Sequence, residues 1–414
     1  MSGAPVPLLR RRAVRLYLSA QLLGSSGLWM LRMATDWLVL ELTGSPAAVG
    51  VLVALQFLPL LVIGPYGGVV ADRHDKRRLV LVTQAASAGV AAALAALTLA
   101  DAVVVWHLYA ASLVLGLITA VEMPARQALV SEVAGQSSLQ ATISTNNALH
   151  QGGGLVGPAL AGIVISGVDQ GLAYGINALV CLSVVALLGA IRPSELERAP
   201  VVPRARGQLR EGVRFVTDRP RLAAVMVLAG FMGALGLNGP VVFAAFADGV
   251  WDSGAQGLGL YNSLSAVGAL GGALVAARLR HVGPRVVLLG SGLFAVTETA
   301  AAYMPTHASF VVALVAVGAA TLFFLTCAAT FVQLAAAPSL RGRVLGLYSP
   351  LLMGGHACGA LLQGWLAEHL GVRHGLAVTG GLAALATVGV AIALVRVRRR
   401  ADVEALPEPV AQAR

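Results

Sequence analysis

The sequence predicts an all-α membrane protein with twelve transmembrane helices in two six-helix, pseudo-symmetric bundles. Three observations lead to this fold class. The 414 residues are 57% hydrophobic and only 12% charged, whereas about a quarter of the residues in a soluble domain are charged. Apolar runs of about 20 residues, the length that spans a bilayer, recur along the chain. The basic residues are concentrated in every second connection between these runs.

Twelve segments have the length and composition of a membrane span. Lipid offers the backbone no hydrogen-bond partner, so we expect each of them to be a helix. In chain order they cover residues 16–40, 49–70, 79–99, 103–123, 142–166, 173–191, 222–247, 258–277, 286–304, 310–335, 344–366 and 376–395. The first segment is too long for the apolar region of a cleaved signal peptide, so we expect it to remain in the protein.

The basic residues predict the orientation. Of the 29 Lys and Arg residues, 27 precede span 1, follow an even-numbered span or lie in the central connection and tail. The exceptions are Arg32, inside span 1, and Arg373, between spans 11 and 12. By the positive-inside rule, we expect both termini to be cytoplasmic in a multi-pass protein of the cell inner (plasma) membrane. The net charge of +10 then reflects topology and anionic lipid, and we expect no nucleic-acid partner.

A polar, arginine-rich segment divides the chain into two parts, each with six predicted spans. The predicted units are an N-terminal bundle at 1–191, a cytoplasmic central loop at 192–221, a C-terminal bundle at 222–396 and a cytoplasmic tail at 397–414. Within the loop, Gln208–Thr217 has the pattern of a short amphipathic surface helix. At an offset of 202, Gly157 and Gly162 correspond to Gly359 and Gly364. Repeated parallel halves with a site near the midplane are typical of secondary transporters.

The connection after span 2 carries a compact motif of small, acidic and basic residues. It reads GVVADRHDKRR from Gly68, with Asp72 followed by Arg73, Arg77 and Arg78. The glycine permits close helix packing, and an acid at the membrane boundary needs a partner or water. A solvated acid beside topology-setting arginines is the alternative interpretation.

Span 5 carries glycines and a proline at regular spacing, namely Gly153, Gly157, Pro158 and Gly162. Glycine and proline favour a kinked helix with a smooth face, against which a neighbouring helix packs closely. Such packing would seal a leak pathway between the halves. Ordinary glycine-rich membrane packing is the alternative.

These motifs resemble those of the major facilitator superfamily. The stretch from Gly68 resembles its loop 2–3 signature, and the glycines of span 5 resemble the motif of members that exchange substrate for protons. The phrases DWLVLELTGSP, PARQ and RGRV are similar to those of the enterobactin-exporter-like and macrolide-efflux-like branch. The resemblance implies a drug–proton antiporter that exports a small molecule such as a drug, siderophore or metabolite. It also implies a latch between Asp72 and the start of span 11, near Arg341 and Arg343.

Charged residues inside spans are costly and are therefore functional candidates. Arg32 and Asp36 lie four residues apart on one face of span 1. Three roles remain open: mutual neutralisation, proton titration by Asp36, and binding of an anionic cargo by Arg32. Glu122 and Arg126 repeat this spacing at the cytoplasmic end of span 4, where a gate pair is expected.

Glu298 lies midway along span 9. The resemblance implies that span 9 lies outside the central cavity, so we expect a structural role for Glu298 in contact with Thr297 or Thr299. It is also the second candidate for proton coupling.

Further polar residues on spans 1, 5, 7, 10 and 11 predict a substrate cavity. Polar groups in a membrane protein normally face the bundle interior, where a ligand needs a few hydrogen-bonding and aromatic contacts. Hydrogen bonding between helices is the alternative for any single residue. The candidates are Gln21, Trp29, Asn146, Asn147, His150, Gln151, Asn238, Gln333 and His356.

Enzyme motifs are missing from the sequence. It contains no G-x-x-x-x-G-K-[ST] loop, no H-E-x-x-H and no G-x-S-x-G, and its three cysteines do not have metal-ligand spacing. We therefore expect no enzymatic activity, no cofactor and no metal. The expected partners are a small-molecule substrate, protons and the lipid bilayer, with the chain as a monomer. A proton-linked importer or facilitator and a non-transporting membrane sensor are the alternatives.

Overall fold

The computed structural model describes residues 11–197, 208–336 and 340–404, and within these ranges every regular element is helical. This confirms the all-α prediction. Parts of the predicted central loop (198–207) and tail (405–414) lie outside the described residues. The helices are α1 (Arg12–Thr43), α2 (Pro46–Arg73), α3 (Lys76–Leu99), α4 (Val105–Gly167), α5 (Gln170–Gly189), α6 (Gln208–Thr217), α7 (Pro220–Gly236), α8 (Gly239–Gly249), α9 (Gly254–Ala277), α10 (Pro284–Ala302), α11 (His307–Ala335), α12 (Arg341–Leu370) and α13 (Val372–Glu404).

Eleven helical segments in the described ranges are long and apolar enough to cross a membrane. Each of them overlaps one of the predicted spans 2 to 12. Helix α1 contains the predicted span 1 but is not among the eleven. Its apolar run is interrupted by polar and charged residues, including Gln21, Ser25, Arg32 and Asp36. The multi-span architecture therefore follows from eleven apolar helical segments in the described ranges, and the twelfth span stays a prediction.

The sequence analysis placed a connection between spans 4 and 5, but the structure has no irregular loop there. Helix α4 runs from Val105 to Gly167 and bends at Gly135, whose φ of 62° lies in the left-handed region. This conformation favours glycine because it has no Cβ to clash with the following carbonyl. The connection is thus a sharp kink between two helical segments, Val105–Gly135 and Ser138–Gly167.

Span 7 is broken, whereas the prediction made it continuous. Helix α7 ends at Gly236 and α8 begins at Gly239, with Leu237 and Asn238 between them. Pro240 explains the break because proline has no N–H to donate to the preceding turn and its ring collides with that turn. The two pieces together, Pro220–Gly249, are long enough to form one span.

The predicted surface helix is present as α6, with the same bounds. Glu211 of α6 forms an ion pair with Arg343, near the start of α12. On the other side of the central loop, Arg12 contacts Glu195 at 3.2 Å, and Arg11 contacts Glu197 at 3.0 Å. A hydrogen bond from the backbone N–H of Arg192, together with Arg12, lowers the pKa of Glu195. The central loop is thus held to α1 at one end and to α12 at the other.

The apolar core is divided unequally along the helix axes. One cluster joins residues of α1 to α5 and α8 to α13 at the ends remote from the basic connections, with Leu40, Val49 and Phe310 among its members. At the basic ends there are two clusters instead. One contains only residues 13–191, and the other only residues 216–390. The described side chains thus pack across both halves at one end and within each half at the other.

Candidate functional site

A cavity of about 300 Å³ lies beside the break in span 7. Phe243 on its wall belongs to the core cluster shared by both halves, and Phe294 belongs to the cluster of residues 216–390. The cavity is therefore at mid-depth in the helix bundle. Trp29 of α1 and Gln151 of α4 line it together with residues of α7 to α11. Small-molecule sites have this character, with mostly apolar walls and a few polar groups.

Asn238 is placed in the cavity wall by the break between α7 and α8. Its side-chain amide donates to the carbonyl of Ala234, and its backbone carbonyl accepts from Val242 at 3.1 Å. The side chain is only 2% exposed, yet its Oδ1 atom has no hydrogen-bond partner. An unpaired buried carbonyl is unfavourable, so Asn238 presents an acceptor that a ligand or water can satisfy.

Glu298 lines the same cavity, contrary to the prediction that span 9 lies outside it. It is 5% exposed, its Oε1 accepts from the hydroxyl of Thr379 at 3.4 Å, and its Oε2 has no partner. The predicted partners were also wrong, because Thr297 and Thr299 donate to carbonyls of their own helix. Threonine in a helix commonly bonds to the preceding turn in this way.

Three of the nine predicted cavity residues, Trp29, Gln151 and Asn238, line this cavity. Gln21 instead accepts a hydrogen bond from Arg126 at 3.2 Å. The others, which are absent from the wall, are Asn146, Asn147, His150, Gln333 and His356. The sequence analysis missed Asn262 and Thr321, which do line the cavity. Both are polar residues within apolar runs, so the rule that selected the other candidates would also have found them.

Arg32 and Asp36, for which three roles were left open, do not form a close ion pair. Among the described residues, no contact of 4.0 Å or less joins the two charges, and Oδ1 of Asp36 is buried without a partner. The guanidinium of Arg32 lies over the rings of Trp29, at 5.5 Å, and Phe57, at 5.1 Å. Aromatic faces attract cations, so these two rings are partners of the Arg32 guanidinium.

His356 is joined to the same group of residues. Its ring meets Phe57 edge-on with centroids 4.3 Å apart, which brings α12 against α2. Its Nδ1 atom is buried and has no hydrogen-bond partner. His356 therefore lies one ring away from Arg32, although it does not line the cavity.

Glu122 and Arg126 form the predicted pair, with Nη2 of Arg126 2.6 Å from Oε1 of Glu122. The same oxygen accepts from Gln84 at 2.7 Å, and Tyr17 donates to the backbone carbonyl of Arg126 at 3.3 Å. With Gln21, these residues form a polar cluster that links α1, α3 and α4 at the basic end. We call it the Arg126 cluster.

The basic residues after span 2 have separate contacts. Arg77 donates to the carbonyls of Leu188, at 2.9 Å, and Gly189, at the end of α5, where the helix dipole favours a cation. Arg73 and Arg78 are exposed, and Gly68 is half-buried.

The structure describes the arginine side chains of the predicted latch but not its acid. The side chain of Asp72 lies outside the described part of the chain, so its contact with span 11 stays a prediction. Arg341 donates to the carbonyl of Gln333 at 3.1 Å, and Arg343 pairs with Glu211.

The glycines of span 5 lie at close helix contacts. A Cβ atom on Gly153 or Gly157 would overlap α1, at the side chain of Ser25 and the carbonyl of Ser26 respectively. A Cβ on Gly162 would lie 3.1 Å from the carbonyl oxygen of Ala255 in α9. Pro158 contributes its carbonyl to the same contact with α9. The smooth face predicted from the sequence is thus present, and it faces two different helices.

The corresponding glycines of span 11 make equivalent contacts. A Cβ on Gly359 would overlap the carbonyl of Ala234 in α7, and one on Gly364 would lie 2.8 Å from Cα of Ala47 in α2. Spans 5 and 11 therefore each present one glycine to the first span of their own half and one to the second span of the other half. The sequence repeat at offset 202 is matched by a repeat of contacts.

Residues 3–412 match a family model described as transmembrane secretion effector. The chain is 27% identical to the multidrug efflux pump Tap of Mycolicibacterium fortuitum, over 88% of the chain and 91% of that protein. It is 25% identical to the enterobactin exporter EntS of Salmonella choleraesuis, over 86% and 85%. It is 21% identical to macrolide efflux protein A of Streptococcus pyogenes, over 85% and 89%. For two further relatives, the match spans 54% and 44% of their own length.

The solved structure of the nucleoside transporter NupG is similar, with a TM-score of 0.75 at 14% identity, over 92% of this chain and 99% of that one. At this level of identity the likeness shows a shared fold. Among the described residues, no group of three or more His, Cys, Asp and Glu side chains is placed to hold a metal ion.

Proposed function

The chain belongs to the transmembrane secretion effector family of major facilitator transporters, and from this premise we propose that it exports a small molecule by alternating access. Members and relatives of this family are membrane transporters and not enzymes. The relatives named for efflux align with most of the chain. We propose the same direction here, with a drug, siderophore or metabolite as cargo.

The proposed architecture is two six-helix bundles, at residues 1–191 and 222–396, related by a pseudo-two-fold axis. Helix α1 supplies the first span, because 32 residues at 1.5 Å per residue exceed the thickness of the hydrocarbon core. Its Gln21 and Ser25 face α4, through hydrogen bonds with Arg126 and Leu149. The central loop (192–221), the tail (397–414) and both termini are proposed to be cytoplasmic, in the inner (plasma) membrane, with the chain as a monomer.

The observation that carries the mechanism is the division of the apolar core. Both halves share one cluster at the end remote from the basic connections, and each half has its own cluster at the basic end. With the basic end in the cytoplasm, this is an inward-facing state in which the outer end is closed. Rocking of the two halves about the cavity would reverse the packing, as in other transporters built from repeats.

Protons are the proposed driving ion, with three candidate groups inside the membrane. Asp36 and Glu298 are buried carboxyl groups, each with one oxygen atom that lacks a partner. Asp36 is buried in α1 between Ala34 and Leu38 of the shared core cluster, and Glu298 lies on the cavity wall. Arg32 is close enough to Trp29 to respond to changes in the cavity. Intramembrane acids are the usual proton relays of transporters.

The cytoplasmic gate is the proposed role of the Arg126 cluster and of the motif after span 2. Glu122 and Arg126 hold α1, α3 and α4 together at the basic end. The motif from Gly68 to Arg78, with Arg341 and Arg343 at the start of α12, lies at the same end. In the outward-facing state these residues are proposed to meet across the two halves.

Everted membrane vesicles test the proposal directly. Vesicles carrying the chain are energised to an acid interior and offered three probes: erythromycin, ethidium and enterobactin. We expect at least one to accumulate, and a protonophore to abolish the accumulation. An importer would move the probe only in the opposite orientation, and a facilitator would equilibrate it regardless of the protonophore. A sensor would show no counterflow of any probe, and that result would overturn the proposal.

A further inference from the structure

The cavity beside the break in span 7 has an acid on its wall. Among the described residues that line it, Glu298 is the single ionisable side chain. Arg32 does not line the cavity, and its guanidinium is already placed over the rings of Trp29 and Phe57. A carboxylate in an apolar site is costly unless a cation or a set of hydrogen bonds compensates it. Among the described residues, the donor to this acid is the hydroxyl of Thr379, at 3.4 Å from Oε1, and that hydroxyl lies closer, at 2.8 Å, to the carbonyl oxygen of Leu376.

Two buried acceptor atoms in the cavity wall have no partner. They are Oε2 of Glu298 and Oδ1 of Asn238, in side chains that are 5% and 2% exposed. Buried polar atoms are nearly always hydrogen-bonded in folded proteins. Two unpaired acceptors on one cavity therefore indicate that a donor is supplied from outside the chain.

The rest of the wall suits an aromatic or aliphatic body. Phe243, Phe294 and Trp29 present rings to the cavity, and aromatic rings stabilise organic cations through their electron-rich faces. The Nε1 atom of Trp29 is a buried donor without a partner. A ligand that also carries an acceptor would satisfy it. The volume of about 300 Å³ sets the size at that of a small organic molecule.

We propose that this cavity is the cargo site and that it selects an organic cation, with the charged nitrogen placed between Glu298 and Asn238. The inference rests on the proposed transport function and specifies its substrate class. Selection follows from charge, because a cation relieves the uncompensated carboxylate whereas an anion is repelled by it. Glu298 then recognises the cargo directly and is not a structural acid of span 9.

Binding to the purified full-length chain tests this proposal with a matched pair of probes. Ethidium carries a permanent positive charge, and its parent phenanthridine without the N-ethyl group is uncharged near neutral pH and similar in shape. We expect the wild-type chain to bind ethidium about tenfold more tightly or better, because hydrogen bonds and contacts with a charged group are the stronger ones. Glu298→Gln should remove this preference, chiefly by weakening the binding of ethidium.

The control variant is Asp101→Asn, which removes an acid from an exposed connection. Asp101 has a φ of 51°, a conformation that asparagine tolerates well, so this change should leave both affinities as they are. Equal affinity of the wild-type chain for the two probes would overturn the proposal. A preference that survives in Glu298→Gln would overturn it as well.

A second measurement uses the wild-type chain, in case Glu298→Gln does not fold. A hydrophobic carbodiimide modifies buried carboxyl groups, and mass spectrometry locates the modified residue. Ethidium should slow modification of Glu298, and the uncharged parent should not. Modification that proceeds at the same rate with either probe would contradict the proposal.

The transport function and the cation site can be disproved independently of each other. If vesicles transport erythromycin or enterobactin but the purified chain shows no preference for ethidium, only the cation site is wrong. If ethidium binds through Glu298 but no probe is ever transported, the transport proposal is wrong and the site remains.

Discussion

Gly162 of α4 and Gly259 of α9 face each other where the two halves of the chain meet. A Cβ on Gly162 would lie 3.3 Å from Cα of Gly259, and a Cβ on Gly259 would lie 3.2 Å from Cα of Gly162. The two backbones therefore approach each other as closely as small residues permit. Ser263 of α9 adds a hydrogen bond to the carbonyl of Leu155 in α4, at 2.9 Å.

Replacement of Gly162 by valine should destabilise this contact. Forcing a larger side chain into a tightly packed interface typically costs about 1–3 kcal/mol, so the melting temperature of the purified chain should fall by several degrees. Gly152→Val is the matched control, because a Cβ at Gly152 meets nothing within 4 Å. Equal melting temperatures for Gly162→Val and Gly152→Val would show that the contact is looser than described.

The Arg126 cluster predicts a non-additive pair of substitutions. Arg126→Met leaves Glu122, whose side chain is only 12% exposed, without its cation, and breaking such a pair is worth about 3–5 kcal/mol when fully buried. Glu122→Gln in the same chain should recover part of this loss because the uncompensated charge is gone. Thermal unfolding of the two single variants and the double variant measures the coupling. Additive losses would mean that the two side chains do not interact.

Asp36 predicts a separation of coupling from transport. Asp36→Asn keeps the size of the side chain and removes its titration, so transport driven by a pH gradient should be lost while counterflow of the same probe persists. Both assays use the same reconstituted vesicles, with Asp101→Asn as the control. Gradient-driven transport at the full rate in Asp36→Asn would leave Glu298 as the remaining acid for proton coupling.

A cross-link at the end remote from the basic connections, where both halves pack together, should stop transport reversibly. The hydroxyl of Ser45, at the start of α2, donates to Glu368 near the end of α12 at 2.5 Å. A Ser45→Cys/Glu368→Cys variant treated with a short thiol cross-linker should therefore stop transport, and a reductant that cleaves the linker should restore it. The native chain, which has three cysteines, and each variant with only one of the two substitutions should keep their activity after treatment. Full transport by the cross-linked protein would exclude opening at this end.

The connections on the two sides of the membrane predict opposite accessibility. A protease site or small tag inserted after Asp101, between α3 and α4, should report the outer compartment. The same insertion after Asp218, between α6 and α7, should report the cytoplasm, because the basic central loop is held inside. Cleavage at the two sites is compared between intact cells and everted membrane vesicles. Both insertions in one compartment would refute the proposed orientation.

Local composition and spacing along the chain are enough to predict the membrane helices and the contacts within one helix. Apolar runs fix the membrane helices because lipid leaves the backbone no other partner, and the spacing of Glu122 and Arg126 fixes an ion pair within one helix turn. The break between α7 and α8 also has a local cause, because Pro240 interrupts the helix. The span at 222–247 was nevertheless predicted to be continuous.

Which groups share the cavity depends on how the helices pack, and this is seen only in the folded structure. Arg32 and Asp36 share the i, i+4 spacing of the gate pair, but in the described part of the chain the guanidinium of Arg32 lies over two aromatic rings and makes no ion pair with Asp36 within 4.0 Å. Glu298 finds Thr379, 81 residues away, and not its neighbours in the chain. The physical reason is that a polar side chain inside a membrane takes the partner that packing brings within reach, and helix packing depends on contacts between distant segments. Spacing along one helix specifies a face, and the neighbouring helices specify what that face meets.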